Sequence, residues 1–179
     1  GVLPAGGRGP EEPVLQSLGP TDDERVLPPG RLSFTISNRR GIIQSGDMLF
    51  AQLSARDPAS IAGAHHRFLR HPDMPPAAFA DLWRTLKAGR SWMGLVKNRC
   101  KNGDHYWVSA FATPVSRDGK VVEYQSVRTR AQPEQIRAAE ALYAALRDGR
   151  GARALRCTMG LRERVALLAA GAGAFGVAL

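Results

Sequence analysis

Arg70-His71-Pro72-Asp73-Met74-Pro75-Pro76, running into Ala78-Phe79-Ala80-Asp81-Leu82-Trp83, is the stretch from which the rest of this chain is read. Proline fixes φ and suits the first turn of a helix. Pro75-Pro76 therefore mark a helix start, with Asp73 just upstream as its N-cap. Apolar spacing carries that helix from Pro75 to Lys87, and Gly89 ends it. Two cationic side chains and an aromatic near one helix N-terminus suit an anionic, ring-containing ligand. They equally suit a surface turn before an ordinary capped helix, and the stretch alone leaves both readings open.

Outward from this helix the pattern alternates between strand and helix signals. Upstream, Leu32–Ser37 and Ile42–Gln44 read as two short strands joined through the tight turn Asn38-Arg39-Arg40-Gly41. Asp47–Leu53 and Pro58–Ala64 read as short helices. Downstream come three strands, Ser91–Lys101, Asp104–Val115 and Lys120–Thr129, with Asn102-Gly103 and Asp118-Gly119 as hairpin turns. Gln132–Leu146 reads as a helix leading out of the domain. The order predicts an α+β fold whose antiparallel sheet is covered by helices on one face.

The quoted stretch together with Val96-Lys97-Asn98, Lys101-Asn102-Gly103-Asp104-His105-Tyr106-Trp107-Val108 and Ser126-Val127-Arg128-Thr129-Arg130-Ala131 resembles the PAS domain of the aerotaxis-receptor family of bacterial chemotaxis transducers. The resemblance runs from about Leu32 to Gly149. It implies a PAS fold: a five-stranded antiparallel sheet, short helices and one longer helix on one face, and a C-terminal helix. It also implies non-covalent FAD binding, with the positions of Arg70, His71, Asp73, Asp81, Trp83 and Asn98 needed for flavin binding or signalling. In that reading Arg70 meets the FAD pyrophosphate, for which a planar fork of donors is well suited. His71 does so when protonated or as a neutral donor, and Asp73 and Asp81 orient the loop and cap the helix.

Strand alternation places Trp92, Gly94, Val96 and Asn98 on one face. An indole, a glycine permitting close approach and a terminal carboxamide could cradle a flat ring and bond its polar edge. The alternative is that Trp92 is core and Asn98 an edge-strand side chain. One departure from the family bears on the flavin: Asp47 stands where relatives carry Asn, and a carboxylate cannot donate as an amide does. The light-sensing flavin PAS domains of the LOV class carry Gly-x-Asn-Cys-Arg-Phe-Leu-Gln, whose Cys forms a photoadduct. The corresponding Gly63-Ala64-His65-His66-Arg67-Phe68-Leu69-Arg70 has His66 at the thiol position. Adduct photochemistry is thereby disfavoured and reversible redox chemistry expected. The histidines lack metal-ligand spacing, and the Pro75–Lys87 helix has no His to hold haem. No nucleophile-elbow, Walker or Rossmann motif is present, so no enzyme activity is expected.

The formal net charge is +9, unevenly placed: residues 1–30 are acidic on balance and the rest strongly basic. No recognition helix, zinc spacing or aromatic-basic RNA motif accompanies the charge, so nucleic acid is not expected as a partner. Cys100 and Cys157 form no CxxC pattern and read as reduced thiols. Residues 1–30, rich in Pro and Gly, read as a disordered leader without a signal peptide, and the Gly at position 1 suggests a processed or trimmed start. Val165–Leu179 is uncharged and apolar but shorter than the roughly 20 residues of a span. With six Arg between Arg147 and Arg164 before it, it reads as the start of a transmembrane helix, or else as a small-residue helix packed on the domain.

The domain organisation expected is a leader (1–30), a PAS sensor (31–131), an exit helix and basic juxtamembrane linker (132–160) and the start of a membrane helix (161–179). The function expected is a sensory input module that binds FAD and reports redox or oxygen state at the cytoplasmic face of the inner membrane. It would act as a homodimer through the PAS domain or exit helix, coupled to downstream signalling domains. The alternative is a ligand-free PAS module whose sheet face serves docking or dimerisation.

Overall fold

The computed structural model of the chain describes residues 19–149. A short strand β1 (Glu24–Arg25) precedes the hairpin of β2 (Ser33–Asn38) and β3 (Ile43–Gly46). Helix α1 (Met48–Leu53), two 3-10 turns (Pro58–Ser60 and His66–Leu69) and helix α2 (Pro76–Lys87) follow, then β4 (Trp92–Arg99), β5 (His105–Arg117), β6 (Lys120–Arg130) and α3 (Pro133–Arg147). The sheet runs β4-β5-β6-β2-β3 with every neighbour in that row antiparallel. This row is the five-stranded antiparallel α+β arrangement expected, to which β1 adds a sixth strand, parallel to β5.

Local chemistry accounts for the connections. Asn38 Oδ1 accepts from the backbone N–H of Arg40 (2.9 Å) and Ile42 (3.1 Å), closing the β2–β3 turn on the left-handed Gly41 (φ +79°). Asp118-Gly119 makes a two-residue turn with both φ positive, and Arg117 pairs Lys120 across it. Asn102-Gly103 instead sits inside a longer loop, because the last β4–β5 pair is Arg99 with His105 and Cys100 N–H donates to Asp104 O at 2.7 Å. Asp47 caps α1, its Oδ1 accepting from Phe50 N–H at 2.8 Å. Asp73 does not cap α2. Pro75 occupies that position without a side-chain bond, and the Asp73 carboxylate is taken by Lys97 Nζ at 2.6 Å. The helix expected over Pro58–Ala64 is a single 3-10 turn.

The register sorts the sheet into two faces. Thr35 and Ser37, Tyr124, Ser126 and Arg128, Tyr106 to Ala112 at alternate positions, and Trp92 to Asn98 at alternate positions share the inner face, which α1, α2 and the 3-10 turns cover. The outer face holds Phe34, Phe111, Leu95 and Trp107. Helix α3 covers its β4–β5 end: Tyr143 stacks on Trp107 with centroids 6.2 Å apart, and its hydroxyl donates to Leu95 O at 2.6 Å. Phe34 (45% exposed) and Phe111 (38%) stay uncovered on that face.

Residues 1–18 and 150–179 lie outside the described ones, and with them most of the expected leader, the basic linker and the expected membrane segment. Among the described residues no helix is long and apolar enough to cross a membrane. Residues 19–30, read as leader, pack onto the fold. Strand β1 pairs in parallel with His105 and Tyr106 of β5, next to the end of β6, and Leu27 is wholly buried. Asp104 anchors the segment by accepting from Thr21 Oγ1 and Arg25 Nε, each at 3.0 Å. Two paired residues and one apolar anchor carry no periodicity, so the prolines around them dominate the local pattern.

Candidate functional site

A cavity lies between the inner sheet face, α2 and the 3-10 turn His66–Leu69. It encloses about 760 Å³ of open space, counting solvent at its mouth. Its floor is made of small apolar side chains from adjacent strands, Val96, Val108, Ala110 and Ala112, and α2 contributes Phe79, Leu82, Trp83 and Leu86 opposite. Alternation brings this about: every second residue of β4 and β5 faces inward, and two of the four floor positions are alanine, too small to fill the space. Trp83 is held edge-on against Tyr124, centroids 5.7 Å apart. The left-handed Gly41 also supports this wall, since a Cβ there would lie 3.1 Å from the Trp83 ring and 3.2 Å from His65.

Polar groups converge on this apolar slot. Arg67 and Arg70, both exposed, stand at its rim, with the Arg70 guanidinium carbon 4.1 Å from the Phe79 ring centroid. Asn98, 5% exposed, lines the wall where Arg70 and Asn98 form an isolated backbone bridge. Its carboxamide offers a donor and an acceptor side by side to the cavity it lines. Inside the slot, Arg128 is 6% exposed and donates to Thr35 Oγ1 at 3.0 Å. His66 Nε2 lies 3.4 Å from the same hydroxyl. Burial, with the Arg128 charge beside it, holds His66 down to about 3, so it is a neutral ring near pH 7.

Of the residues singled out from sequence, the structure brings Arg70, Trp83 and Asn98 together in the cavity wall and leaves His71, Asp73 and Trp92 outside it. His71 is buried beneath the loop with Nδ1 accepting from Asp73 N–H at 3.1 Å. Burial, reinforced by Lys97, lowers it to about 4, which makes it a neutral structural acceptor. Asp73 pairs with Lys97, whose hydrogen bond is the main cause of its lowered pKa. Trp92 is core: its indole N–H donates to Asp81 Oδ2 at 3.0 Å. Its ring also fills the space over Gly94, where a Cβ would lie 2.3 Å from it. The approach that Gly94 permits is therefore used by Trp92 itself. Asp81 takes Arg84 and Trp92 as partners in the middle of α2, and is no cap. The Asp47 carboxylate is committed to Ser33, Phe34 and Phe50 and does not line the cavity.

The sequence reading missed Arg128, Tyr124 and Ser126. A signal for them existed: Tyr124, Ser126 and Arg128 alternate along one strand face, and an Arg at an inward-facing position is uncommon enough to notice. His66, considered for its thiol position and among the histidines but not as a flavin contact, is a lining residue.

Comparison with known proteins adds four findings. The PAS fold family matches residues 49–128. The aerotaxis receptor of Escherichia coli (strain K12) is 51% identical over 137 residues, which cover 76% of this chain and 26% of that protein. Phototropin-2 of Oryza sativa subsp. japonica is 33% identical over 76 residues, covering 42% of this chain and 8% of its own length. Among solved structures, a light-oxygen-voltage domain studied with a flavin analogue superposes with a TM-score of 0.55 at 22% identity, covering 66% of this chain and 89% of the other; this likeness concerns the fold alone. The chain thus spans about a quarter of the length of the aerotaxis receptor.

Proposed function

Since this chain carries a PAS domain of the aerotaxis-receptor type, we propose that it is a sensory input module that binds FAD in the cavity and reports redox or oxygen state to a membrane-anchored transducer. The observation that carries the reading is a mostly apolar slot between sheet and helix, with the largely buried Asn98 on its wall and Arg70 and Arg67 at its rim. A donor and an acceptor side by side match the polar edge of an isoalloxazine. The small floor residues and the Trp83 and Phe79 rings match its faces. Arg70 and Arg67 at the rim supply donors where the pyrophosphate of an FAD tail would leave the slot. His71 and Asp73 act one step back, holding the loop that presents Arg70.

Bound there, the flavin would supply reversible electron transfer, and with it a change of ring charge and hydrogen bonding. Asn98 is the residue placed to feel that change. It shares β4 with Leu95, whose carbonyl accepts from Tyr143 of α3. One turn further along α3, Arg147 donates to Asp73 O and ties the end of the helix to the same loop. A shift of β4 or of the 70–75 loop is thereby conveyed to the helix that leaves the domain, which biases the output by population shift.

The test is the visible spectrum of the purified chain before and after dithionite, with the released cofactor identified. Flavin bands that bleach and return in air, with FAD in the denatured supernatant, support the reading. A Soret band overturns it in favour of haem. A second reading, a ligand-free module docking through its sheet, is favoured by the uncovered Phe34 and Phe111. It gains if the protein is colourless and stays so after FAD is added.

A further inference from the structure

Arg128 is the described charge whose burial is least accounted for. It faces inward on β6, 6% exposed, and its donors meet only neutral oxygens, Thr35 Oγ1 at 3.0 Å and Ser126 O at 3.4 Å. Its guanidinium carbon lies 4.8 Å from the Phe50 ring centroid. Among the described residues no carboxylate stands within ion-pair distance. Asp47, an acid close enough to attract it, spends both oxygens on Ser33, Phe34 and Phe50. Its neighbour His66 is neutral and offers no counter-charge. On the same sheet face the Tyr106 hydroxyl is fully buried without a hydrogen-bond partner among the described residues. A buried cation with no carboxylate at ion-pair distance is expensive, and the site retains one facing its cavity.

We propose that Arg128 is the counter-charge for the bound ring in its reduced state, so that this residue sets the redox preference of the site. The inference rests on the flavin reading above. Reduction of the neutral oxidised ring by two electrons and one proton from an electron donor leaves the ring with one negative charge near neutral pH. No bond to the protein forms or breaks. A fixed cation in a slot of low dielectric favours that product over the reactant. The rim residue Arg70 plays a different part. It faces solvent and the phosphates of the tail, whose charge is the same in both redox states, so it governs affinity rather than potential.

The two roles separate experimentally. The full chain, R128Q, R128K and R70Q are loaded with FAD. Dissociation constants for oxidised FAD are measured by fluorescence, and midpoint potentials by anaerobic titration with dithionite. Wild type is expected to hold FAD at a midpoint above that of free FAD at the same pH. R128Q should lose at least tenfold more affinity for reduced than for oxidised FAD, a fall of about 30 mV for a two-electron couple, with R128K recovering most of it. R70Q should weaken both states in proportion. An R128Q midpoint equal to wild type overturns the proposal, as does equal loss of both states. If R128Q does not fold, the wild-type midpoint decides alone: a value at or below that of free FAD overturns the assignment. Wild-type protein that takes up no FAD fails at the earlier step, and removes the flavin reading together with this one.

Discussion

Single residues divide here into those that hold the slot open and those that face its contents. Asn98 belongs to the second group: it lines the cavity, so removing its carboxamide is expected to cost the fold little and the ligand much. Asn98→Ala is expected to weaken binding of riboflavin, a ligand without the pyrophosphate, by about tenfold. That is the worth of one or two hydrogen bonds at roughly 1 kcal/mol each. The melting temperature should stay near wild type, and fluorescence titration with parallel thermal melts checks both. Gly41 belongs to the first group. An alanine there must adopt φ near +79° and press its Cβ to 3.1 Å from Trp83. Gly41→Ala should cost about 1–3 kcal/mol in urea denaturation, through strain and a displaced indole. Trp92 shows how residue type misleads. Its parity was readable and its face correct, but its ring lies over Gly94 and its N–H is given to Asp81, so it builds the core beside the slot.

Elements show which parts of the chain the domain needs. Strands β4, β5 and β6, helix α2 and helix α3 were readable to within a few residues, because alternation, proline at helix starts and Asp-Gly at a turn are local signals. Strand β1 was not. It forms only because the β5 edge beyond the end of β6 is vacant and Asp104 is there to receive Thr21 and Arg25. Its apolar anchor is Leu27, with no exposed surface. Leu27→Ala is expected to destabilise the domain by about 2–5 kcal/mol, the usual cost of a buried Leu-to-Ala cavity. Chemical denaturation measures it. A loss below 0.5 kcal/mol would mean that the segment is a passenger and that the reading of residues 1–30 as leader stands.

For the molecule as a whole, the two buried imidazoles make stability depend on pH. His66 is held down to about 3 and His71 to about 4, both by burial, against 6.5 when the chain unfolds. Between those values the unfolded chain binds more protons than the folded one, so their contribution is complete above about pH 7 and drains away as pH falls toward 4. The lowered Asp73 acts further down, its contribution present above the ordinary carboxylate range and lost as the Lys97 pair is protonated away. Melting temperature, followed by circular dichroism, should therefore fall from pH 7 to pH 4.5. The double variant His66→Gln with His71→Asn should flatten that fall, and an unchanged slope would remove the imidazoles as its cause. The amino-acid sequence by itself determined the element order, the sheet direction of each strand residue and the exposed Arg70 beside the helix start, since φ restriction, turn chemistry and period-two alternation act within a few residues. Only the tertiary structure decided who meets whom on that inner face: that Trp92 fills its own strand's glycine gap, that His71 is a neutral prop, and that Asn98, His66 and Arg128 open onto one slot. Those outcomes depend on side chains arriving from distant strands and on the volume they leave unfilled, and no local rule measures that volume.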